Sequence, residues 1–200
     1  MGIAIITGHL GVVGSSISKV LKSETNLTII GIDCDLRSKL FEEVEPLDSK
    51  SWTDKEKDIG IDFSFNIDIR DQEEVDKLFK KLVEKDKIEL IIHCAAQPSH
   101  DWAKNNVLVD FDINARATII LCEAMNNYAR ESILVFLSTN KVYGDNPNKL
   151  PLKELEKRFE LSDDHHFYSG INESMSIDNC LHSYFGVSKV AADLYVQEYA

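Results

Sequence analysis

Ile3-Ala4-Ile5-Ile6 runs without a break into Thr7-Gly8-His9-Leu10-Gly11-Val12-Val13-Gly14, and this junction decides the fold. The apolar run reads as a short buried strand. Val13, Ile17, Val20 and Leu21 then recur at helical spacing. Glycines 8, 11 and 14 lie where one pattern gives way to the other. The reading is strand, glycine-rich turn, helix. Backbone bare of side chains lets a pyrophosphate approach closely, and a helix start offers unpaired N–H groups at the positive end of its dipole. Gly8, His9, Leu10, Gly11, Val12, Val13 and Gly14 are therefore the candidate binding loop for a dinucleotide. The plain alternative is a tight turn that holds no ligand.

Leu27 to Ile32 is a second strand, ending at Asp33, 19 residues after Gly14. A carboxylate there suits the adenosine ribose hydroxyls and repels a 2′-phosphate, which favours NAD over NADP. Cys34 adjoins it, and Arg37 works against that repulsion. From Cys34 to Gly60 the chain is polar and poorly periodic, with a helical piece carrying Leu40, Phe41, Val44 and Leu47. Phe63 to Ile67 is the third strand. Asp68-Ile69 follows it, at a position that this topology lays beside the adenine. Asp68 reads equally well as a helix N-terminal charge near Asp71. Asp71 and Glu74 make a capping-box-like start to an amphipathic helix with Val75, Leu78, Phe79 and Leu82.

Leu90 to Cys94 is a fourth strand, almost continuously apolar, as a strand covered on both faces should be. The small residues Ala95-Ala96-Gln97 then allow close backbone approach to a cofactor. A long helix with Ile113, Ala117, Ile120, Leu121 and Ala124 on one face also carries Asn114, either a buried polar relay or an exposed position. Ile133 to Leu137 is the fifth strand. Ser138-Thr139 closes it at the carboxyl edge, where a hydroxyl can bond a substrate oxygen. Asn146 to His182 is loop-rich. A last helix starts near Ser183 and carries Val187, Val190, Ala191 and Leu194; periodicity makes its Lys189 a solvated lysine.

Alternating strands and helices predict an α/β fold, a Rossmann-type doubly wound parallel sheet with helices on both faces, as one domain over residues 1–200. The helix at Ala200 has no Gly or Pro to stop it, which predicts a longer protein. A net charge of −12 argues against a nucleic-acid partner. No run of about 18 apolar residues predicts a membrane span. The four cysteines lack metal-ligand spacing, so no metal is expected, and Cys94 and Cys122 read as buried thiols. A cytoplasmic location is the default expectation.

Thr7-Gly8, Gly11, Gly14, Asp68-Ile69, Ala95-Ala96, Asn114 and Val142-Tyr143-Gly144 resemble the extended short-chain dehydrogenase/reductases, the NAD-dependent epimerases and dehydratases that act on nucleotide sugars. Ala95 to Asp101, Ser138 to Asp145, His182-Ser183 and Ser188 to Asp193 resemble the CDP-paratose 2-epimerase (CDP-tyvelose epimerase) branch of that family. The resemblance spans essentially the whole chain. It implies bound NAD, a nucleotide-sugar substrate, a possible homodimer and a C-terminal substrate lobe beyond Ala200. It also implies epimerisation by transient hydride transfer. A tyrosine takes a proton from a sugar hydroxyl, the adjacent C–H gives hydride to the nicotinamide, and hydride returns with inverted configuration. Thr139 inherits the hydroxyl role. Lys189 inherits two tasks, lowering the phenol pKa and holding the nicotinamide ribose.

The family places that tyrosine four residues before the lysine, and here the position is Phe185. Three arrangements answer this. Tyr184 serves, although it lies about 100° round an ideal helix. Tyr143 or His182 takes the proton. Or the cofactor site persists while the chemistry is lost or changed. The functions in view are a nucleotide-sugar epimerase, a non-catalytic dinucleotide-binding module, which Phe185 favours, and a dehydratase, dehydrogenase or reductase.

Overall fold

In a computed structural model that describes residues 2–41 and 44–200, five parallel strands pair in the order β3-β2-β1-β4-β5. They are β1 (Ile3–Thr7), β2 (Thr28–Asp33), β3 (Phe63–Asn66), β4 (Ile88–His93) and β5 (Ile133–Phe136). The helices are α1 (Val12–Glu24), α2 (Leu36–Leu40), α3 (Ser49–Ile59), α4 (Gln72–Val83), α5 (His100–Asn105), α6 (Val107–Phe111), α7 (Ala117–Tyr128) and α8 (Tyr184–Glu198). This is the doubly wound parallel sheet expected from the alternation of patterns. Strand order reverses between β1 and β4, so the crevice outside their carboxyl ends is where such sheets bind ligands.

Both faces of β1 are buried, which explains its unbroken apolar run. Ile3 and Ile5 cluster with Val75, Leu78, Phe79 and Leu82 of α4 and with Ala117, Ile120 and Leu121 of α7. Ala4 and Ile6 cluster instead with Ile17 and Leu21 of α1. The period-two alternation of a strand sends neighbouring residues to these opposite layers. The Asp71 carboxylate caps α4 by accepting the Glu74 N–H at 3.1 Å, as its sequence signature predicts.

Four expectations change. The helical piece through Val44 and Leu47 is instead the short α2, ending at Leu40; Glu42 and Glu43 lie outside the described residues. A further helix, α3, follows. It has few apolar residues, so periodicity hides it, yet Asp48 caps it through the Ser51 N–H at 2.7 Å and Gly60 ends it at φ +78°. The long helix over Ile113 to Ala124 begins as α6 and passes through a π-helical turn, Asp112–Arg116, into α7. Cys122 is fully buried but Cys94 is only partly so.

α8 also turns a different side inward from the one its apolar pattern suggests. Its buried residues are Phe185, Gly186, Ser188, Lys189 and Ala192, whereas Val187 and Leu194 are about half-exposed. The mixed side faces inward because polar partners on α6 and the π-turn await it there. Among the described residues, no helix is long and apolar enough to cross a membrane.

Candidate active site

The glycine loop is shaped by what it excludes. Gly8 has φ +69°, a conformation that L side chains rarely adopt, and a Cβ there would lie 2.7 Å from the Ala95 nitrogen. A Cβ on Gly14 would lie 2.3 Å from the Gly8 carbonyl oxygen. The first turn of α1 therefore folds directly onto the loop. Gly11 occupies the N-cap with no side-chain hydrogen bond, and no acid lies in the first turn. Val12 is 80% exposed. The helix start thus presents backbone N–H groups without a competing carboxylate, which is the requirement for an anion.

Asp33, at the carboxyl end of β2, fastens this loop from the other side. Its carboxylate accepts the Leu10 N–H at 3.0 Å on one oxygen and the Cys34 and Asp35 N–H groups at 2.8 and 3.0 Å on the other. Arg37 is exposed on α2, close in sequence but with no side-chain partner among the described residues. Asp68 pairs with Arg70, whose Nη2 donates at 2.6 Å. Burial pushes the Asp68 pKa up, but the Arg70 hydrogen bonds and charge outweigh it and hold the carboxyl below its ordinary value. Ile69 is buried beside it.

Sequence reading misses the contribution of α3. Its Lys55 Nζ donates to the Leu10 carbonyl at 2.5 Å, and Glu56 meets His9 Nε2 at 3.1 Å. His9 is fully buried, and its ring fills the space left by Gly31, where a Cβ would lie 2.7 Å from it. The Asp48 cap and the Ile59-Gly60 ending were the available signals for this helix.

A continuous buried polar network links the loop to the far side of the crevice. His93 Nδ1 lies 2.7 Å from Thr7 Oγ1, and its Nε2 lies 3.0 Å from Thr118 Oγ1. Thr118 donates its own proton to the Asn114 carbonyl at 2.8 Å, so it accepts from His93. That assigns the neutral Nε2–H form, with Thr7 donating to Nδ1. Asn114, in the π-turn, accepts the Gln97 N–H at 2.9 Å and returns an N–H to the Gln97 carbonyl at 3.1 Å. It also lies within donating distance of Asp110 (3.0 Å) and Ser188 (3.2 Å). Asp110 accepts further from Gln97 Nε2 at 2.7 Å and Ser188 Oγ at 2.6 Å. Burial raises the Asp110 pKa, against these bonds and the Lys189 charge. Asn114 is therefore the buried relay and not the exposed residue. Just past the end of β4, Ala95 is half-buried, Ala96 is exposed and Gln97 is buried.

Burial and the Lys189 charge push the pKa of His93 from 6.5 down to about 3. The unfolded chain therefore takes up this proton first as pH falls. The stabilisation from neutral His93 is complete above pH 6.5 and is lost toward pH 3, at about 1.4 kcal/mol per pH unit. His93→Gln is expected to flatten the loss of stability between pH 6.5 and 4 in denaturant titrations; equal slopes in the two proteins would refute the assignment.

Lys189 is 4% exposed. Its Nζ donates to the Leu137 carbonyl at 2.7 Å and sits 4.2 Å from the centre of the Phe136 ring. Burial lowers its pKa from 10.5 to about 8, although Asp193 and Asp110 pull it upward. The expectation of a solvated lysine is thus replaced. Phe185, one turn earlier, is buried beside it on the same side of α8, while Tyr184 is 54% exposed. Thr139 caps the short turn Asn140–Tyr143 and lines a cleft of about 720 Å³ together with Ser138, Tyr143, Glu173 and Asp193. Burial, Glu173 and Asp193 all raise the Tyr143 pKa. His182 is held by the Val142 carbonyl at 2.8 Å. Among the described residues no group of three metal-ligating side chains occurs.

With this geometry in hand, three similarities are informative. The CDP-paratose 2-epimerase of Salmonella typhi is 32% identical over 197 residues, covering 98% of this chain and 52% of the relative. The UDP-Glc/GlcNAc 4-epimerase of Campylobacter jejuni superposes with a TM-score of 0.71 at 18% identity, over 100% of this chain and 49% of that one. A UDP-glucose-4-epimerase from Stenotrophomonas maltophila, solved with bound NAD and formylated UDP-arabinopyranose, gives a TM-score of 0.70 at 21% identity, over 100% and 49%. The chain thus spans about half the length of the relatives it matches. The model of the NAD dependent epimerase/dehydratase family matches residues 4–200, and the chain belongs to that family.

Proposed function

We propose that this chain holds NAD across the carboxyl ends of β1 and β4, and that the whole protein uses it to epimerise a carbon of a nucleotide sugar, as a CDP-paratose 2-epimerase does. The observation that carries the cofactor assignment is the start of α1, uncapped by any side chain, with a glycine loop folded so tightly against it that a Cβ on Gly8 or Gly14 would strike backbone. The sequence likeness to the Salmonella typhi enzyme supports the substrate class.

NAD held there would supply a reversible hydride acceptor for a sugar carbon. The N–H groups of α1 hold the pyrophosphate, and Asp33 orients the adenosine ribose while anchoring Leu10. Lys189 holds the nicotinamide ribose, and Thr139 bonds the sugar oxygen. Incubation of the protein with CDP- and UDP-sugars should invert one carbon, seen by NMR, without net NADH absorbance at 340 nm. NADH accumulation would point to a dehydrogenase instead.

The buried Phe185 favours a second reading, a dinucleotide-binding module without turnover. Cofactor binding with no product from any sugar would select it.

Asp33 supplies the negative charge that opposes a 2′-phosphate. Asp33→Ser is expected to narrow the preference for NAD over NADP by roughly tenfold or more, about 1.4 kcal/mol. Unchanged relative affinities in fluorescence titrations would remove Asp33 from this role.

A homodimer is part of the same proposal. Leu108 of α6 (80% exposed) and Tyr184 and Val187 of α8 (54% and 51%) are outward apolar and aromatic side chains on two neighbouring helices. Light scattering should give twice the protomer mass and a shift to monomer in Leu108→Glu plus Val187→Glu. A wild-type monomer at tens of micromolar would count against it.

A further inference from the structure

We propose that Lys189 itself takes the proton from the sugar hydroxyl, in place of the phenol that Phe185 replaces. This rests on the epimerase reading and goes further, since it assigns the acid/base to a residue that otherwise serves the cofactor.

The other candidates are poorly placed. Phe185 carries no proton. Tyr184 faces outward, 54% exposed, one residue round α8 from the buried side. Tyr143 lines the cleft, but Glu173, Asp193 and burial all hold its phenol in the protonated form. His182 is tied to the Val142 carbonyl.

Lys189 has the opposite character. From α8 its Nζ reaches just past the carboxyl end of β5, to the carbonyl of Leu137, two residues before Thr139. Among the described residues it forms no ion pair within 4.0 Å. A buried ammonium whose one hydrogen-bond partner is a neutral carbonyl is poorly compensated. As the neutral amine it still donates one N–H to Leu137 and keeps a lone pair free. The charged and titratable groups facing it are Asp193 on α8, Asp110 on α6 and the neutral His93 on β4. The two carboxylates favour the cation, burial disfavours it, and the balance lies near pH 8. A base poised there is suited to proton transfer at cellular pH.

The step balances. The hydroxyl proton passes to the Nζ lone pair, directly or through one water, forming an ammonium. The carbon–hydrogen bond pair leaves with its hydrogen as hydride to the oxidised nicotinamide dinucleotide, and a C=O bond forms. The return of hydride to the other face takes the proton back from the ammonium, so neither acid nor reductant is consumed.

The test is an NMR titration of the protein labelled with 13C-lysine and loaded with NAD, the Lys189 signal being identified by its loss in Lys189→Arg. A midpoint near pH 8, about two units below the other lysines, is the expected result. A midpoint of 10 or higher overturns the inference even if NAD binds and sugars are inverted. Phe185→Tyr gives a second readout, the pH–rate profile. A restored phenol beside Lys189, which is a cation below pH 8, should move the rising limb to lower pH and raise turnover at pH 7 by roughly tenfold or more. An unmoved profile overturns the inference. No NAD binding in calorimetry would remove the epimerase reading itself, and this inference with it, which separates the two failures.

Discussion

Gly14→Ala is expected to abolish dinucleotide binding. The added Cβ would lie 2.3 Å from the Gly8 carbonyl oxygen and 2.9 Å from both the Gly8 carbonyl carbon and the His9 Cα. All three are backbone atoms, so no flexible side chain can swing aside. Relief requires the loop to move away from α1 by the better part of an ångström. The Leu10–Asp33 and Lys55–Leu10 bonds resist that motion, because both hold the same loop. Helix propensity works in the opposite direction, since alanine in a helix is favoured over glycine by about 1 kcal/mol. The two effects therefore predict opposite signs, and overpacking of about 1–3 kcal/mol outweighs propensity. The variant should melt several degrees below wild type and bind NAD at least 100-fold more weakly, about 2.8 kcal/mol. A variant that melts higher and binds equally well would show that the loop has slack, and that the glycine is there for another reason.

Asn114→Leu should cost more stability than any other single change at the crevice. It leaves the Gln97 N–H and carbonyl without their partner in the buried interior and takes from Asp110 Oδ1 one of its two donors. Each buried polar group left unsatisfied costs about 1–3 kcal/mol. A total of about 4 kcal/mol corresponds to a fall in melting temperature of roughly 8–16 °C for a chain of this size. The same change takes one of the partners of Ser188 on α8 and leaves it the Asp110 carboxylate, so the seat of Lys189 loosens with it. Calorimetry of the variant checks the first part. A loss below about 1 kcal/mol would mean that water satisfies these groups, and that the network does not hold α8 in place.

The sheet was legible because its signals are local. Ile3 to Ile6 and Leu90 to Ile92 pack on two faces, so their apolar runs need no tertiary information to be read. The loop glycines, the Asp71 cap and the Ser183 cap are likewise set by backbone geometry within a few residues. What escaped is set by distant partners. Asp110 sits in a five-residue helix and belongs to no sequence motif; its buried bond runs to Ser188, 78 positions away. Lys189 reads as solvated because its neighbours on α8 alternate apolar and polar, yet α5 and α6 pack against α8 and the Leu137 carbonyl takes its Nζ, leaving it buried. α3 was hidden because its work is polar: Lys55 and Glu56 grip the glycine loop, and little apolar surface marks the helix. The π-turn that seats Asn114 adds one residue to a helical turn, a change that no periodicity over so short a stretch reveals.

Calorimetric titration of the protein with NAD and, separately, with NADP addresses the central claim most directly. A 1:1 complex with NAD in the micromolar range or tighter, NADP at least tenfold weaker, and loss of both in Gly14→Ala is the predicted outcome. Absence of heat and of protection against unfolding with either dinucleotide at millimolar concentration would contradict it.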